Sequence, residues 1–537
     1  MLRRMKRPLT LLLCVGMLLT AAACGGDDTV TPEAPDTAGD ELTIDPNAST
    51  VTVKAQDDLF TLGYDADYTM HPVNTTSSAN ALVDCLVYEF AVELDQDYNP
   101  IPNLISSWET ENGFSWFFTV DTSVTFHDGS HLTAADVAYS INRARQSEAY
   151  GTRLNKIWGV SAMDEETVMI TLSDTNYMFP RLLNIPVVKD DQADGLPTGT
   201  GPYEFAEDLS RLTIYEDHRF ADEMPIDVIY LHENGDPEQT ISDYSTSLID
   251  LVINDPTGLS RLGYGSNNEV RYFTTTNMQF IGMNTQSEFT CYQAYRHALN
   301  FAVDRDYIVE TVLSGSAVPA SLPISPENSL YNESLANQYD YDLIKCQNLF
   351  TAAGVQDYDM DEMLEYQLPG GNADIDLDFV VCADNTDKVK AAQKIAEDLK
   401  SIGIGVTVRQ LSWDEYTTAI ITGDYDMFYG EVKLTADFNL TDMLTTNGLK
   451  NFYGIKDPSY YEYIHAYLSS TTEEDRALNC DLMCQYIAEN APIVPICFEK
   501  QQVLTHREVV SGIEATQYNV FYDLKNWTIN TTGKTEG

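Results

Sequence analysis

Residues 104–145 read LISSWETENGFSWFFTVDTSVTFHDGSHLTAADVAYSINRAR. Apolar and polar side chains alternate through Trp116, Phe118 and Val120, and again through Val124 and Phe126, the two-residue period of strands with one buried face. The alternation stops at the turn pair Asp128-Gly129. It gives way at Thr133 to a helix, with Asp136 three residues on to complete a capping box. Strand, turn, strand and capped helix are thus expected in that order. Nothing in the block is chemically active: Trp116, Phe118, Phe126, Val137 and Ile141 have the pattern of a core, and Gly129 that of a turn. The block predicts architecture and leaves function to the rest of the chain.

Upstream, Arg3, Arg4, Lys6 and Arg7 precede an apolar run from Leu9 to Ala23, and Ala21-Ala22-Ala23 leads into Cys24. This order predicts a secretory signal over residues 1–24 with a lipoprotein-type cleavage site, so Cys24 is the expected lipid carrier. Ala21 stands where such sites more often have Leu. The run is shorter than a bilayer span, and no later segment approaches that length, so membrane attachment is expected through lipid. Residues 25–50 are rich in Gly, Pro, Asp and Thr and almost free of large apolar side chains. Such a segment buries too little surface to offset its ordering entropy, which predicts a flexible tether.

With 31 Lys and Arg against 83 Asp and Glu, the formal charge is -52. Nucleic acid is excluded as a natural partner, because its phosphates would be repelled. An acidic surface keeps an exported protein soluble and is compatible with a cationic ligand, but net charge locates no site. Apart from Cys14 and Cys24, the cysteines are Cys85, Cys291, Cys346, Cys382, Cys480, Cys484 and Cys497, an odd number. Most sit among apolar neighbours, as in VVCAD and PICFE, which predicts buried thiols in preference to a disulfide framework.

Downstream, NMQFIGMN at 277–284 reads as a strand, and CYQAYRHALNFAVDRDYIVETVLSG reads as a helix pair ending at Gly315. YDLIKCQNLFTAAG is a helix stopped by Gly354. IDLDFVVCADN alternates, VKAAQKIAEDLKSIG is amphipathic and GVTVRQLSW alternates again, which predicts a parallel strand pair joined by a helical crossover. The chain beyond the tether exceeds one ordinary core, so two or three lobes are expected.

In order and wording these segments resemble the family 5 extracellular solute-binding proteins, the peptide and nickel class of ABC importer receptors. In that family a Trp-containing strand is followed by FHDG and LTAxDVxYSxxRA. RHALNFAVDRDYIV, the AGV helix end, AAQKIAEDLKSIGIGVTVRQLSWDEY, GDYDM and PIVPICFE have counterparts too, so the likeness covers nearly all of residues 50 to 530. It implies an α/β, bilobal, periplasmic-binding-protein-like clamp (type II, three-domain) with a hinge between the lobes. Lobe I would comprise residues 51–78, 192–275 (with TGTGPYEF at 198–205) and 492–531. A small domain would be inserted at 79–191, and lobe II would be 276–491. The likeness further implies a non-catalytic, monomeric receptor, without cofactor or metal, that delivers oligopeptides or dipeptides to ABC permease subunits.

In such a receptor the ligand sits between the lobes, because closure lets binding energy select the closed state. Residues 412–439, SWDEYTTAIITGDYDMFYGEVKLTADFN, carry Trp413, Tyr416, Tyr429, Glu431, Lys433 and Asp437 around an expected strand, GDYDMFYG, and the loop after it. Peptide receptors of the family place an aspartate in an ADY or ADF sequence, where it pairs with the peptide's α-ammonium. The match here is Ala436-Asp437-Phe438. A carboxylate in a closed, dry cleft gains far more from a paired ammonium than it would in water. The competing reading is that Asp437 caps a helix from Leu440 or stabilises a loop. Trp413 falls where the oligopeptide receptor has a cleft tryptophan, with a core role as its alternative. Cationic positions that help bind the peptide's C-terminal carboxylate in that receptor appear here as Ile420 and Tyr429. Leu434 lies near where a tryptophan would precede the aspartate loop. Carboxylate capture by those arginines is therefore not expected. Upstream, FTLGYDADYTMHP places Tyr64, Asp65 and Tyr68 after a first strand, near the implied hinge, whereas Tyr88-Glu89 reads as structural. The candidate ligand-binding residues are Asp437, Phe438, Trp413, Tyr429, Glu431, Tyr64 and Tyr68.

No GxSxG, HExxH, P-loop or dinucleotide fingerprint is present, so hydrolase and nucleotide chemistry have no sequence handle. His127 and His131 are separated by the Asp-Gly turn, Cys480 and Cys484 lack a second pair at zinc spacing, and DYDMDE at 357–362 lacks the glycine of a calcium loop. The alternatives left open are a receptor for a nickel chelate or an oligosaccharide, and a peptide-pheromone receptor that signals without feeding transport.

Overall fold

The computed structural model describes residues 58–190, 195–258 and 268–531; the expected signal, the lipid carrier Cys24 and the tether at 25–50 lie outside the described residues. Its backbone is an 11-stranded sheet built around two long antiparallel strands, Asn268–Met283 and Ile493–His506. Beyond Ile493–His506 the order continues through Leu251–Asn254, Thr61–Tyr64, Val228–Glu233, Arg211–Ile214 and Tyr203–Phe205. Beyond Asn268–Met283 it continues through Met427–Lys433, Asp376–Cys382 and Gly405–Leu411, and the eleventh strand, Ala317–Pro319, pairs with Ile493–His506 off this path. The two long strands hold the two halves of this α/β sheet together.

The ladder between those strands breaks between Thr274 and Met278. There Thr275 Oγ1 donates to the Glu499 carbonyl at 2.9 Å and Thr276 Oγ1 to the Leu434 carbonyl at 2.7 Å. Side-chain hydroxyls thus take over where main-chain pairing lapses, at the place where a shift in register lets paired strands bend. The expected crossover is present: Asp376–Cys382 and Gly405–Leu411 pair in parallel, joined by the helix Thr386–Ser401.

A separate four-stranded antiparallel sheet takes Ile105–Thr110, Ser115–Val120, Thr167–Leu172 and Ile157–Ala162 in that order. Along Ser115–Val120 the residues Trp116, Phe118 and Val120 are buried while Phe117 and Thr119 are exposed, as the alternation requires. The Trp116 and Phe118 rings stack with centroids 5.9 Å apart, and Phe179 closes edge-on over Phe118 at 6.1 Å. The helix Ala134–Ala144 begins with the predicted capping box: the Thr133 amide and hydroxyl donate to Asp136 Oδ2 at 2.9 and 2.7 Å. One expectation fails, because residues 124–126 form only an isolated bridge, Thr125 with His131. The Asp128-Gly129 turn folds the chain back at once, and the His127 amide and ring are used elsewhere, on the carbonyls of Gly199 and Gly201 at 3.0 Å each. Both glycines lie so close to the carbonyls of Leu86 and Val87 that neither has room for a β-carbon.

The buried apolar side chains form four clusters, among them one around Phe118 and Ile141, one around Leu62 and Leu251, and the largest around Phe280, Phe379 and Ile464. The seven described cysteines are all free, with Cys346, Cys480, Cys484 and Cys497 buried and Cys291 exposed. No helix among the described residues is long and apolar enough to cross a membrane.

Candidate ligand-binding site

The strand after the GD turn runs Met427–Lys433, starting later and reaching further than GDYDMFYG suggests, because Gly423 ends the preceding helix Trp413–Thr422 in a left-handed conformation and Asp424 follows it out of the ladder. Beyond Lys433 the Leu434 amide donates to Thr276, and a tight turn closes from Phe438 N–H to the Thr435 carbonyl at 2.9 Å. Phe438 occupies a positive φ of 49°, costly for a side chain with a β-carbon. Its ring offsets that strain by packing edge-on against Tyr98 at 5.9 Å and Phe498 at 6.4 Å.

That turn places Asp437 at 0% exposure. Its Oδ1 accepts the Thr435 hydroxyl at 2.5 Å and the Asn439 amide at 3.3 Å, while Oδ2 accepts Asn176 Nδ2 at 2.8 Å. The Tyr467 hydroxyl donates to its carbonyl at 3.0 Å. Burial pushes the Asp437 carboxyl above its ordinary range, opposed by these hydrogen bonds and by the charge of Arg181. The expected helix at Leu440 is a single turn, Thr441–Leu444, and Asp437 does not cap it.

Asn176 comes from the other side, on the segment that follows Thr167–Leu172, and the same seam is closed by further contacts. Tyr177 N–H donates to the Leu468 carbonyl at 2.8 Å, Lys156 pairs with Asp442 at 2.9 Å, and the Tyr461 hydroxyl donates to Asp174 at 2.9 Å. Of the three carboxylates in these contacts, Asp437, Asp442 and Asp174, Asp437 is the buried one.

The other candidates scatter. Tyr429 is 1% exposed and belongs to a buried chain in which its hydroxyl donates to Gln279 at 2.7 Å and its carbonyl accepts Tyr416 at 2.6 Å; it is a core residue here and presents no face to a ligand. Glu431, two residues on, is exposed and paired with Lys388. Trp413 opens its helix at 36% exposure, 6.0 Å from the Tyr416 ring. Tyr64 is half-buried at the end of Thr61–Tyr64, and Tyr68 stands 45% exposed in a loop tied by Asn80. Among the described residues, no hydrogen bond or ring contact links Trp413, Tyr64 or Tyr68 to the Asp437 turn. Of the seven, Asp437 and Phe438 share one assembly.

Sequence reasoning missed Asn176 and Arg153 and gave Lys433 no role. Arg153 lies with its guanidinium 4.9 Å from the Tyr150 ring centre and 5.9 Å from that of Tyr518, and it donates from Nη2 to the Asn184 carbonyl at 2.6 Å. Asn176 sits 261 positions from its partner, a pairing that carries no local signal.

Residues 99–450 match the profile of the bacterial extracellular solute-binding proteins, family 5 (middle region), and the chain belongs to that family. Its relatives include the oligopeptide-binding protein AppA of Bacillus subtilis, 21% identical over 484 residues, covering 84% of this chain and 87% of that protein. They also include heme-binding protein A of Haemophilus influenzae, 23% identical over 371 residues, covering 62% of this chain and 65% of that protein. Among solved structures, NikA of Brucella suis in complex with Fe(III)-EDTA superposes with a TM-score of 0.68 at 20% identity, covering 87% of this chain and 99% of that one. These likenesses establish a binding-protein fold and a solute-binding receptor family whose members are extracellular or periplasmic.

Proposed function

We propose that this chain is the lipid-anchored receptor of an ABC importer, capturing short peptides outside the cell and delivering them to a membrane permease without chemical conversion. The observation that carries the reading is Asp437: a fully buried carboxylate whose second oxygen is satisfied by an amide from across the seam, Asn176 Nδ2 at 2.8 Å. A ligand ammonium entering as the lobes part takes the place of that amide and makes a charge-assisted bond in a dry site. The name of the AppA relative supports a peptide ligand, and the name of the heme-binding relative sets the main alternative.

Titration calorimetry with a mixed pool of two- to five-residue peptides, alongside hemin, nickel-histidine and oligosaccharides, tests the assignment. The expected outcome is peptide binding that Asp437→Asn weakens by about 1.5–3 kcal/mol. Binding of a metal chelate or a sugar in place of every peptide overturns the ligand class, and unchanged peptide affinity in the Asn variant overturns the amine role. A peptide-binding protein whose deletion leaves peptide uptake intact is a signalling receptor instead.

A further inference from the structure

We propose that the aromatic box formed by His297, Phe301 and Tyr339 is a second binding site, apart from the Asp437 seam, which takes the methylated ammonium group of a small solute and in this structure holds the ammonium of Lys345 in its place. The site stands whatever ligand the seam takes.

The box lines a cavity of about 350 Å³ on the part of the molecule with the largest core, and no residue lining it bonds to the Asp437 turn. The helix Gln293–Leu299 runs directly into the turn Asn300–Ala302, so His297 and Phe301, four residues apart, fall on one side of the chain. Tyr339 comes from the turn Asn337–Tyr339 and closes the box. The His297 ring stands at 90° to Phe301, with centroids 5.4 Å apart, and at 84° to Tyr339, 6.2 Å away. Phe301 and Tyr339 are buried and nearly parallel, 6.1 Å apart. His297 Nδ1 is held by the Ala488 carbonyl at 3.4 Å, which fixes the ring.

Lys345, exposed in the first turn of the helix Leu343–Ala352, lays its Nζ 4.0 Å from the Phe301 ring centre and donates to the Gln338 carbonyl at 3.0 Å. The chain thus already places a cation on this ring face. Glu489, near the end of the helix Glu473–Asn490, is the single acid among the described residues lining the cavity. Burial, and after it the Glu489 charge, push the Tyr339 hydroxyl up to about 12.

A ring face attracts any cation, but a lysine ammonium with three N–H donors is strongly hydrated and surrenders part of that water on entering. Methyl groups in place of those donors spread the same charge over an apolar surface, which three rings cover and water solvates weakly. The formal charge of -52 draws cations toward the whole molecule, and the box with Glu489 beside it gives an organic cation a place to lodge. Gln293 and Gln338 at the rim are exposed and polar, so no surface is offered to an acyl chain, and the ammonium belongs to a free solute and not to a lipid head.

Ligand-detected NMR on the whole protein tests the site through the N-methyl protons of choline, which a ring face shifts upfield. The wild type is expected to give a saturable upfield shift at millimolar choline, and the neutral carbon isostere, dimethylbutanol, to bind at least about fivefold more weakly. Lys345→Ala, at an exposed position, removes the competing ammonium and tightens choline by about three- to fivefold. Tyr339→Leu abolishes the shift, and Asp437→Asn leaves it as in the wild type. A choline signal that Asp437→Asn abolishes belongs to the seam and overturns the box. Equal binding of the alcohol overturns it too, as does a Lys345→Ala protein that binds choline no more tightly than the wild type or shows no saturable shift up to roughly 50 mM. If Tyr339→Leu fails to fold in thermal melts, the Lys345→Ala and dimethylbutanol comparisons decide alone.

Discussion

The block around residues 104–145 and the seam around Asp437 solve opposite problems. In the block the helix start and the core stacking are made between near neighbours in sequence, Thr133 capping on Asp136 and Trp116 stacking on Phe118, and His127 is an exception that reaches Gly199 and Gly201. In the seam the partners are remote, Asp437 with Asn176 and Arg153 with Tyr518. A self-contained region settles its polar groups largely by itself; a seam settles them through partners brought together only by the fold.

Changes in the block should therefore cost stability and spare recognition. Phe118→Ala removes a fully buried ring wedged between Trp116 and Phe179 and is expected to lower stability by about 3–5 kcal/mol in urea melts. Peptide affinity below the melting range stays within about twofold, since 1.4 kcal/mol would be needed for a factor of ten. A loss under about 1 kcal/mol would break the comparison, because the ring would then not be part of a tightly packed core.

Near the seam, Glu93 shows the reverse economy. It is half-buried, Oε1 has no partner and Oε2 takes a long bond from Asn519 at 3.5 Å, so burial pushes its carboxyl from 4.5 up to about 8. Below about 4.5 the group is protonated in folded and unfolded chains alike; as the pH climbs toward 8 the unfolded chain sheds its proton first and the folded state loses ground. Glu93→Gln should therefore raise stability by about 4 kcal/mol at pH 8.5 and leave it nearly unchanged at pH 4, read by melts across the pH range. An equal effect at both pH values would show that the gain comes from packing.

How much of this is legible in one dimension follows from the same contrast. The sheet's parallel pair, the capped helix and the Gly354 stop were readable because periodicity, caps and turns act within a few residues. Residues 124–126 misled because their alternation is satisfied by a turn and by His127 reaching to Gly199 and Gly201. Around the seam, the Ala436-Asp437-Phe438 motif could be picked out from the sequence, but its partner Asn176 could not. Nor could the place of Tyr429, since only the fold shows its hydroxyl spent on Gln279 in the core. Arg153 gave no local signal at all, because two aromatic rings, one of them distant in sequence, define its place.

Within the block, Asp136 tests whether local closure has a measurable share in the fold. Its Oδ2 accepts from Thr133 and its Oδ1 accepts the Asp190 amide at 3.0 Å. Asp136→Ala is expected to cost about 1–2 kcal/mol in the same urea melts, with Asp136→Asn recovering part of it. A neutral alanine variant would mean that the helix start is held by packing alone.

The finest test lies on the seam itself, where Lys156 meets Asp442 at 2.9 Å with Asn155 adding a second bond to the same carboxylate at 2.7 Å. Both partners are partly exposed, so the pair contributes about 0.2–1 kcal/mol and fades as salt rises from 0.1 to 1 M. Because it joins the two sides across the seam, that energy should appear in ligand affinity and hardly at all in Tm: Lys156→Ala weakens peptide binding by up to about fivefold at low salt and not at 1 M. If the variant instead lowers Tm in ligand-free protein with affinity untouched, the seam is a permanent interface and the contrast with the self-contained block collapses.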